Sequence, residues 1–146
     1  MTCLAVTATV LGAAALIGAC GSEDTDSQAT SATSATRAAG LASKTVEAGE
    51  VTVKITPERI DSDGAAFAVV LDTHSVELAL DVAANAGLVV DGTTWTDATW
   101  DGAGPGGHHR EGTLRFTAAG QAAGTAELTI DGLPEPVRAT WNLKDQ

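Results

Sequence analysis

Hydrophobic and polar residues alternate with a period of two in several short stretches of the chain. In the first of them, Val51, Val53 and Ile55 alternate with polar residues, which is the pattern of a β-strand that buries one face. Pro57 follows, and because proline has no backbone N–H, we expect the strand to end there. The pattern therefore predicts that the folded part of the chain begins near residue 46 with a half-buried strand.

Six further stretches show strand patterns separated by turn residues. Asp91-Gly92 and Asp101-Gly102 are typical of tight turns between antiparallel strands. Only residues 76–86 are compatible with a helix, and we expect a short helix or turn near residues 81–85, inside a loop that crosses the fold. The predicted strands occupy residues 67–71, 88–91, 94–100, 112–117, 126–130 and 137–141.

About seven short strands with frequent turns predict an all-β domain, an immunoglobulin-like sandwich spanning residues 46–146. We expect Trp141 and one of Trp95 and Trp100 to fill its core. The cysteine pair and the tyrosine corner of antibody domains are absent from residues 46–146, which contain neither cysteine nor tyrosine. The domain must therefore derive its stability from core packing alone.

A different hydrophobic pattern, an uncharged and mostly apolar run over residues 4–19, precedes Cys20. A helix that spans a membrane needs about 20 residues, and this run is shorter. It also ends in small residues, as cleaved signal peptides do. The motif Ile17-Gly18-Ala19-Cys20 resembles the lipobox of bacterial lipoproteins. The resemblance implies that residues 1–19 are a signal peptide and that acylated Cys20 anchors the chain at the extracytoplasmic face of the cell membrane. An uncleaved apolar anchor is the alternative.

Residues 20–45 are dominated by small and polar side chains, with Leu41 as the only large aliphatic residue. Such a segment cannot offset the entropy of ordering, so we expect a disordered tether after the lipidated Cys20. A glycosylated stalk is the alternative interpretation. The net charge of −11 argues against nucleic acid as a partner, because phosphate binding requires a basic surface. Membrane contact is therefore expected only through the lipid.

Three parts of the domain resemble a group of uncharacterised secreted or lipid-anchored bacterial proteins. The first contains Thr73-His74-Ser75, the second contains Gly106-Gly107-His108-His109-Arg110, and the third is residues 134–138 before Trp141. The resemblance implies an extracytoplasmic setting and suggests that the first two segments, called here the THS and GGHHR segments, are paired in the fold. It implies no particular activity.

The THS and GGHHR segments contain all three histidines of the chain, His74, His108 and His109. Imidazole is a common ligand of zinc and copper, so one hypothesis is a Cu(II) or Zn(II) site formed by His74 with His108 or His109. Carboxylates could complete such a site. The candidates for that role are Asp72, Asp101 and Glu111.

Two other hypotheses use the same segments without a metal. In one, a binding patch meets a partner through histidine, arginine and tryptophan side chains. In the other, Arg110 pairs with one of the three carboxylates and fastens residues 104–107, so that the segments serve packing only. The candidate binding patch consists of His74, His108, His109, Arg110, Trp95 and Trp100.

Catalytic and calcium-binding interpretations are weaker. Asp72, His74 and Ser75 supply the residue types of a hydrolase triad, but neighbours on a strand point to opposite faces. Residues 61–64 resemble the start of a calcium loop but lack its later acidic ligands. We therefore predict a non-catalytic binding or accessory module without a required cofactor, whose partner is an unknown envelope protein or ligand. The Cu(II)- or Zn(II)-binding lipoprotein is the alternative.

Overall fold

The computed structural model describes residues 40–145, so the predicted signal peptide, Cys20 and most of the tether lie outside the described residues. The described part is built of β-strands and one short 3-10 helix, which confirms the all-β prediction. No helix in this part has the length and hydropathy of a membrane-spanning segment. The strands are β1 Lys44–Ala48, β2 Val51–Asp61, β3 Gly64–Thr73, β4 Ala86–Val90, β5 Thr93–Gly102, β6 His109–Thr117, β7 Thr125–Ile130 and β8 Val137–Asn142, and the helix is Leu143–Asp145.

The alternating pattern at the start of β2 forms the predicted strand, with Val51, Val53 and Ile55 fully buried. The prediction that Pro57 ends this strand is wrong, because β2 continues through a bulge between Pro57 and Arg59. β1 pairs with β2 only as far as Ile55. In the described part of the chain no further strand pairs with this edge of β2, and an unpaired edge tolerates the missing N–H of a proline.

The two Asp-Gly pairs behave differently. Asp91 and Gly92 have φ angles of 48° and 78° and connect β4 to β5, as expected for a type I′ hairpin turn. Asp101 and Gly102 were predicted as a second turn, and this is wrong, because both lie within β5 and pair with β6. β1 was not predicted at all, and it begins two residues before the expected start of the domain.

All strand pairs are antiparallel, and the hydrogen-bonded order is β1-β2-β3-β6-β5-β4-β7-β8. The placement of β3 beside β6 rather than β4 is a Greek-key connection. A bulge between Thr96 and Thr99 divides β5, with Asp97 at a φ of 53°. The first part of β5 pairs with β4 and the second part with β6. The bulge therefore turns a corner in the sheet.

The sheet curls until its two edge strands approach each other. Phe67 on β3 packs on Trp141 on β8, with ring centroids 5.4 Å apart, although these strands are far apart in the sheet order. β1 also lies against β8, and the Trp141 indole N–H donates to the carbonyl of Ala42 at 2.8 Å. The described strands form one nearly closed sheet of eight, and the predicted immunoglobulin-like sandwich of about seven is not confirmed.

One hydrophobic core fills the interior, and Trp95 and Trp141 are both buried in it, at 2% and 4% exposure. The connections between strands gather at the two ends of the curled sheet. At one end, residues 74–85 and residues 103–108 form two long loops, and we call this the loop end. The opposite end carries the β2–β3 turn and residues 118–124. The predicted turn near residues 81–85 is present within the first long loop.

Candidate functional site

The THS and GGHHR segments meet at the loop end. The backbone N–H of Thr73 donates to the carbonyl of His108 at 2.9 Å, where β3 and β6 pair. Farther along, Leu78 donates to Gly107 at 2.9 Å and Gly106 donates back to Leu78 at 2.8 Å. These contacts join the two long loops, and they place the two segments side by side, as the resemblance suggested.

Arg110 is the side chain that fastens both loops. It lies second in β6, points inward and is only 1% exposed. Its Nη1 atom donates to the carbonyls of Leu78 at 3.0 Å and Leu80 at 2.7 Å. On the other side, Nε and Nη2 donate to the carbonyl of Ala103 at 3.2 and 3.0 Å. One guanidinium therefore bridges residues 78–80 and residue 103.

The expected partners of Arg110 were carboxylates, and this part of the packing hypothesis is wrong. Among the described residues, the salt bridges of Asp72 and Asp101 go to His109 and Arg115, not to Arg110. Burial lowers the pKa of Arg110, while the nearby charge of Asp81 raises it. The guanidinium stays charged at neutral pH, and charge-assisted bonds to the loop carbonyls offset part of its desolvation.

Trp100 packs beside Arg110 at the same end. The Arg110 Cζ atom lies 5.8 Å from the indole centroid, and the indole N–H donates to the carbonyl of Ala103 at 2.9 Å. The indole occupies space left by Gly102 and Gly112, which pair across β5 and β6. A Cβ atom on either glycine would lie within 2.9 Å of the indole Cζ2 atom. Both positions therefore require glycine.

A groove of about 270 Å³ opens between the loops and the end of β5. Apolar, aromatic and charged side chains share its wall, and Arg110 contributes the only cationic group among the described residues that line it. A larger hollow of about 500 Å³ at the opposite end has neither an aromatic nor a cationic residue in its wall. The groove at the loop end is lined by Asp81, Val82, Ala83, Trp100, Pro105 and Arg110.

His109 lies on the outer face of β6 and contacts two carboxylates. Its Nδ1 atom is 2.5 Å from Asp72 on the neighbouring β3, and its Nε2 atom is 3.9 Å from Glu111. The hydrogen bond and the charge of Asp72 raise the pKa of His109 above its ordinary value of 6.5, and Glu111 adds to the effect. The protonated form of His109 is thus favoured by its surroundings.

The remaining predicted site residues lie in different surroundings. His74 and His108 are exposed on the two loops, and no group of three or more potential metal ligands occurs among residues 40–145. Trp95 belongs to the core, where its indole N–H has no hydrogen-bond partner among the described residues. The candidate patch therefore divides into exposed histidines, a groove wall with Trp100 and Arg110, and a core tryptophan.

Several residues that shape the site carry no signal in the sequence. The carbonyls of Leu78, Leu80 and Ala103 hold Arg110, yet any residue type supplies a carbonyl. The sequence predicts Asp81 only as part of a turn, and in the structure its carboxylate accepts from the backbone N–H of Ala84 at 3.0 Å in that turn.

Comparison with known proteins finds no relative: no family model, curated protein or solved structure matches the chain.

Proposed function

We propose that the protein is a non-catalytic binding module, held at the extracytoplasmic face of the membrane by a lipid on Cys20. Its loop end recognises an envelope protein or ligand. The lipobox motif and the apolar run before it support the anchor. The exposed histidines, the groove and the fixed loops support the location of the recognition surface.

Arg110 is the observation that carries this proposal. Burying a charge that forms no salt bridge among the described residues costs free energy, and an apolar side chain would close this end of the curled sheet at lower cost. The guanidinium instead gives two irregular loops a defined shape. Binding residues are concentrated on loops that a rigid scaffold positions, and a fixed shape lowers the entropy lost on binding.

The contacts around the histidines favour binding over catalysis. A nucleophilic triad requires a hydroxyl within hydrogen-bond reach of an imidazole. Between residues 40 and 145, His109 contacts carboxylates on both sides, and no hydroxyl hydrogen-bonds to a histidine ring. The Greek-key order supports a relation to immunoglobulin-like sandwiches, which stays a prediction.

Site-specific photo-crosslinking in living cells tests the proposal. A photoreactive amino acid replaces His74 at the loop end or, as the matched control, Ser62 in the exposed turn at the opposite end. We expect a reproducible crosslinked species from position 74 that is absent or much weaker from position 62. Equal crosslinking from both positions, or none from position 74, would contradict the proposed recognition surface.

A further inference from the structure

The groove at the loop end contains one hydrogen-bond donor that the fold does not use. A guanidinium has five N–H bonds, and the loop carbonyls accept from four of those of Arg110. The second N–H of Nη2 has no acceptor among residues 40–145. Arg110 is buried but is one of the residues that line the groove, so we take this N–H as the donor that the groove offers to a ligand.

Asp81 provides the complementary acceptor. One of its carboxylate oxygens accepts from the backbone N–H of Ala84 at 3.0 Å, which fixes the position of the side chain in the turn. The other oxygen has no hydrogen-bond partner in the described part of the chain. Asp81 lines the same groove as Arg110, so an acceptor and a donor occur in one small site.

Trp100 and Pro105 form an apolar part of the groove. The indole N–H of Trp100 donates to the carbonyl of Ala103, so the surface that Trp100 offers to a ligand is its ring. Pro105 adds a second apolar surface that cannot donate a hydrogen bond. The face of an aromatic ring carries partial negative charge and attracts weakly positive C–H groups.

The charges of the groove select against ions. An anion would bind Arg110 but would be repelled by Asp81 and by the negative chain as a whole, whose net charge is −11. A cation would bind Asp81 but would be repelled by the buried guanidinium. A neutral molecule with hydroxyl groups, each both donor and acceptor, satisfies both residues while its C–H face packs on Trp100.

We infer that the groove binds a neutral sugar ring. The inference rests on the proposed binding function and names its ligand class. A volume of about 270 Å³ is just below the range of about 300–1,000 Å³ for sites that hold drug-sized molecules, so the groove takes a single ring rather than a long chain. A ligand of this size binds with a dissociation constant on the order of 1 mM.

Titration of the full-length protein by NMR tests the inference, with the protein held in a zwitterionic detergent that has no sugar headgroup. The probes are glucose, galactose and N-acetylglucosamine, and benzoate serves as an anionic probe with a flat apolar face. The indole N–H signals report separately on each tryptophan. We expect a sugar to shift the Trp100 signal in a saturable manner while the signals of the buried Trp95 and Trp141 stay unchanged.

Two matched variants identify the groove as the site. Asp81→Asn preserves an oxygen for the Ala84 N–H but removes the charged acceptor, so the sugar loses a charge-assisted hydrogen bond and we expect it to bind at least tenfold more weakly. Asp63→Asn, in the exposed turn at the opposite end, should bind like the unchanged protein. An unchanged Trp95 signal shows that each variant is folded.

Three results would overturn the inference: no shift with any sugar, equal sugar affinity in Asp81→Asn, or tighter binding of benzoate than of every sugar. None of them bears on the crosslinking from position 74, which decides the proposed function separately. A crosslink to an envelope protein combined with no sugar binding would therefore refute the sugar as ligand and support the proposed binding module.

Discussion

Substituting Arg110 by methionine removes the bridge between the two long loops while preserving most of the apolar stem. The variant loses four hydrogen bonds to three carbonyls. The carbonyl of Leu78 still accepts from Gly106, and that of Ala103 still accepts from the Trp100 indole. The carbonyl of Leu80 has no other donor among the described residues and must find water.

The expected loss of stability in Arg110→Met is estimated from two groups of hydrogen bonds, one to residues 78–80 and one to residue 103. A hydrogen bond that involves a charged group contributes about 1.5–3 kcal/mol net. Removing the buried guanidinium also relieves its desolvation, which offsets part of the loss. We therefore expect Arg110→Met to lower the free energy of unfolding by about 2–4 kcal/mol, a large fraction of the stability of a small domain.

Urea unfolding followed by tryptophan fluorescence measures this change. Arg115→Met is the matched control, because Arg115 lies on the same strand but on its outer face, where it contacts Asp101 at 3.4 Å. An exposed pair of this kind contributes about 0–1 kcal/mol. A loss below about 1 kcal/mol in Arg110→Met, or equal losses in the two variants, would refute the role assigned to Arg110.

Three further outcomes are expected. Because Asp72 raises the pKa of His109 above 6.5, their contact stabilises the fold at lower pH and loses its contribution as the pH rises through the folded-state pKa. Urea unfolding at pH values below and above neutrality should show this loss of stability, and Asp72→Asn should abolish the pH dependence. Gly112→Ala would place a Cβ atom 2.6 Å from the Cα of Gly102, so we expect about 1–3 kcal/mol of destabilisation in the same assay, and a neutral result would contradict the close strand approach. Cys20→Ala should abolish incorporation of labelled fatty acid and release the protein from membranes, and a variant that stays membrane-bound would contradict the lipid anchor.

Much of the fold could be predicted because its core strands follow a simple period. The inward residues of β2, β7 and β8 alternate with outward ones in the sequence as they do in the structure. The errors occur where tertiary pairing overrides a local signal. Asp101-Gly102 has the composition of a turn, but β6 pairs with it as far as Gly112 and keeps it extended. β1 was not predicted because it is a short edge strand that carries the charged Glu47, and its first residues resemble the tether.

The sequence could select the two candidate segments, but it could not predict the contacts that join them. The histidines and Arg110 directed attention to the THS and GGHHR segments, and these do lie together. The partners of Arg110 were beyond prediction, because backbone carbonyls leave no mark in a sequence. The exposure of each tryptophan also depends on the sheet register, which places Trp95 in the core and Trp100 against two glycines.

Amide hydrogen exchange tests most directly the claim that Arg110 fixes the two loops in one shape. The N–H groups of Leu78 and Gly106 donate only across the loop pair, so they report its opening. In the unchanged protein we expect both amides to exchange slowly, and in Arg110→Met to exchange at least tenfold faster, while the amides of β2 and β3 stay comparatively protected. Rapid exchange of Leu78 and Gly106 in the unchanged protein, or the same slow exchange in the variant, would contradict the account.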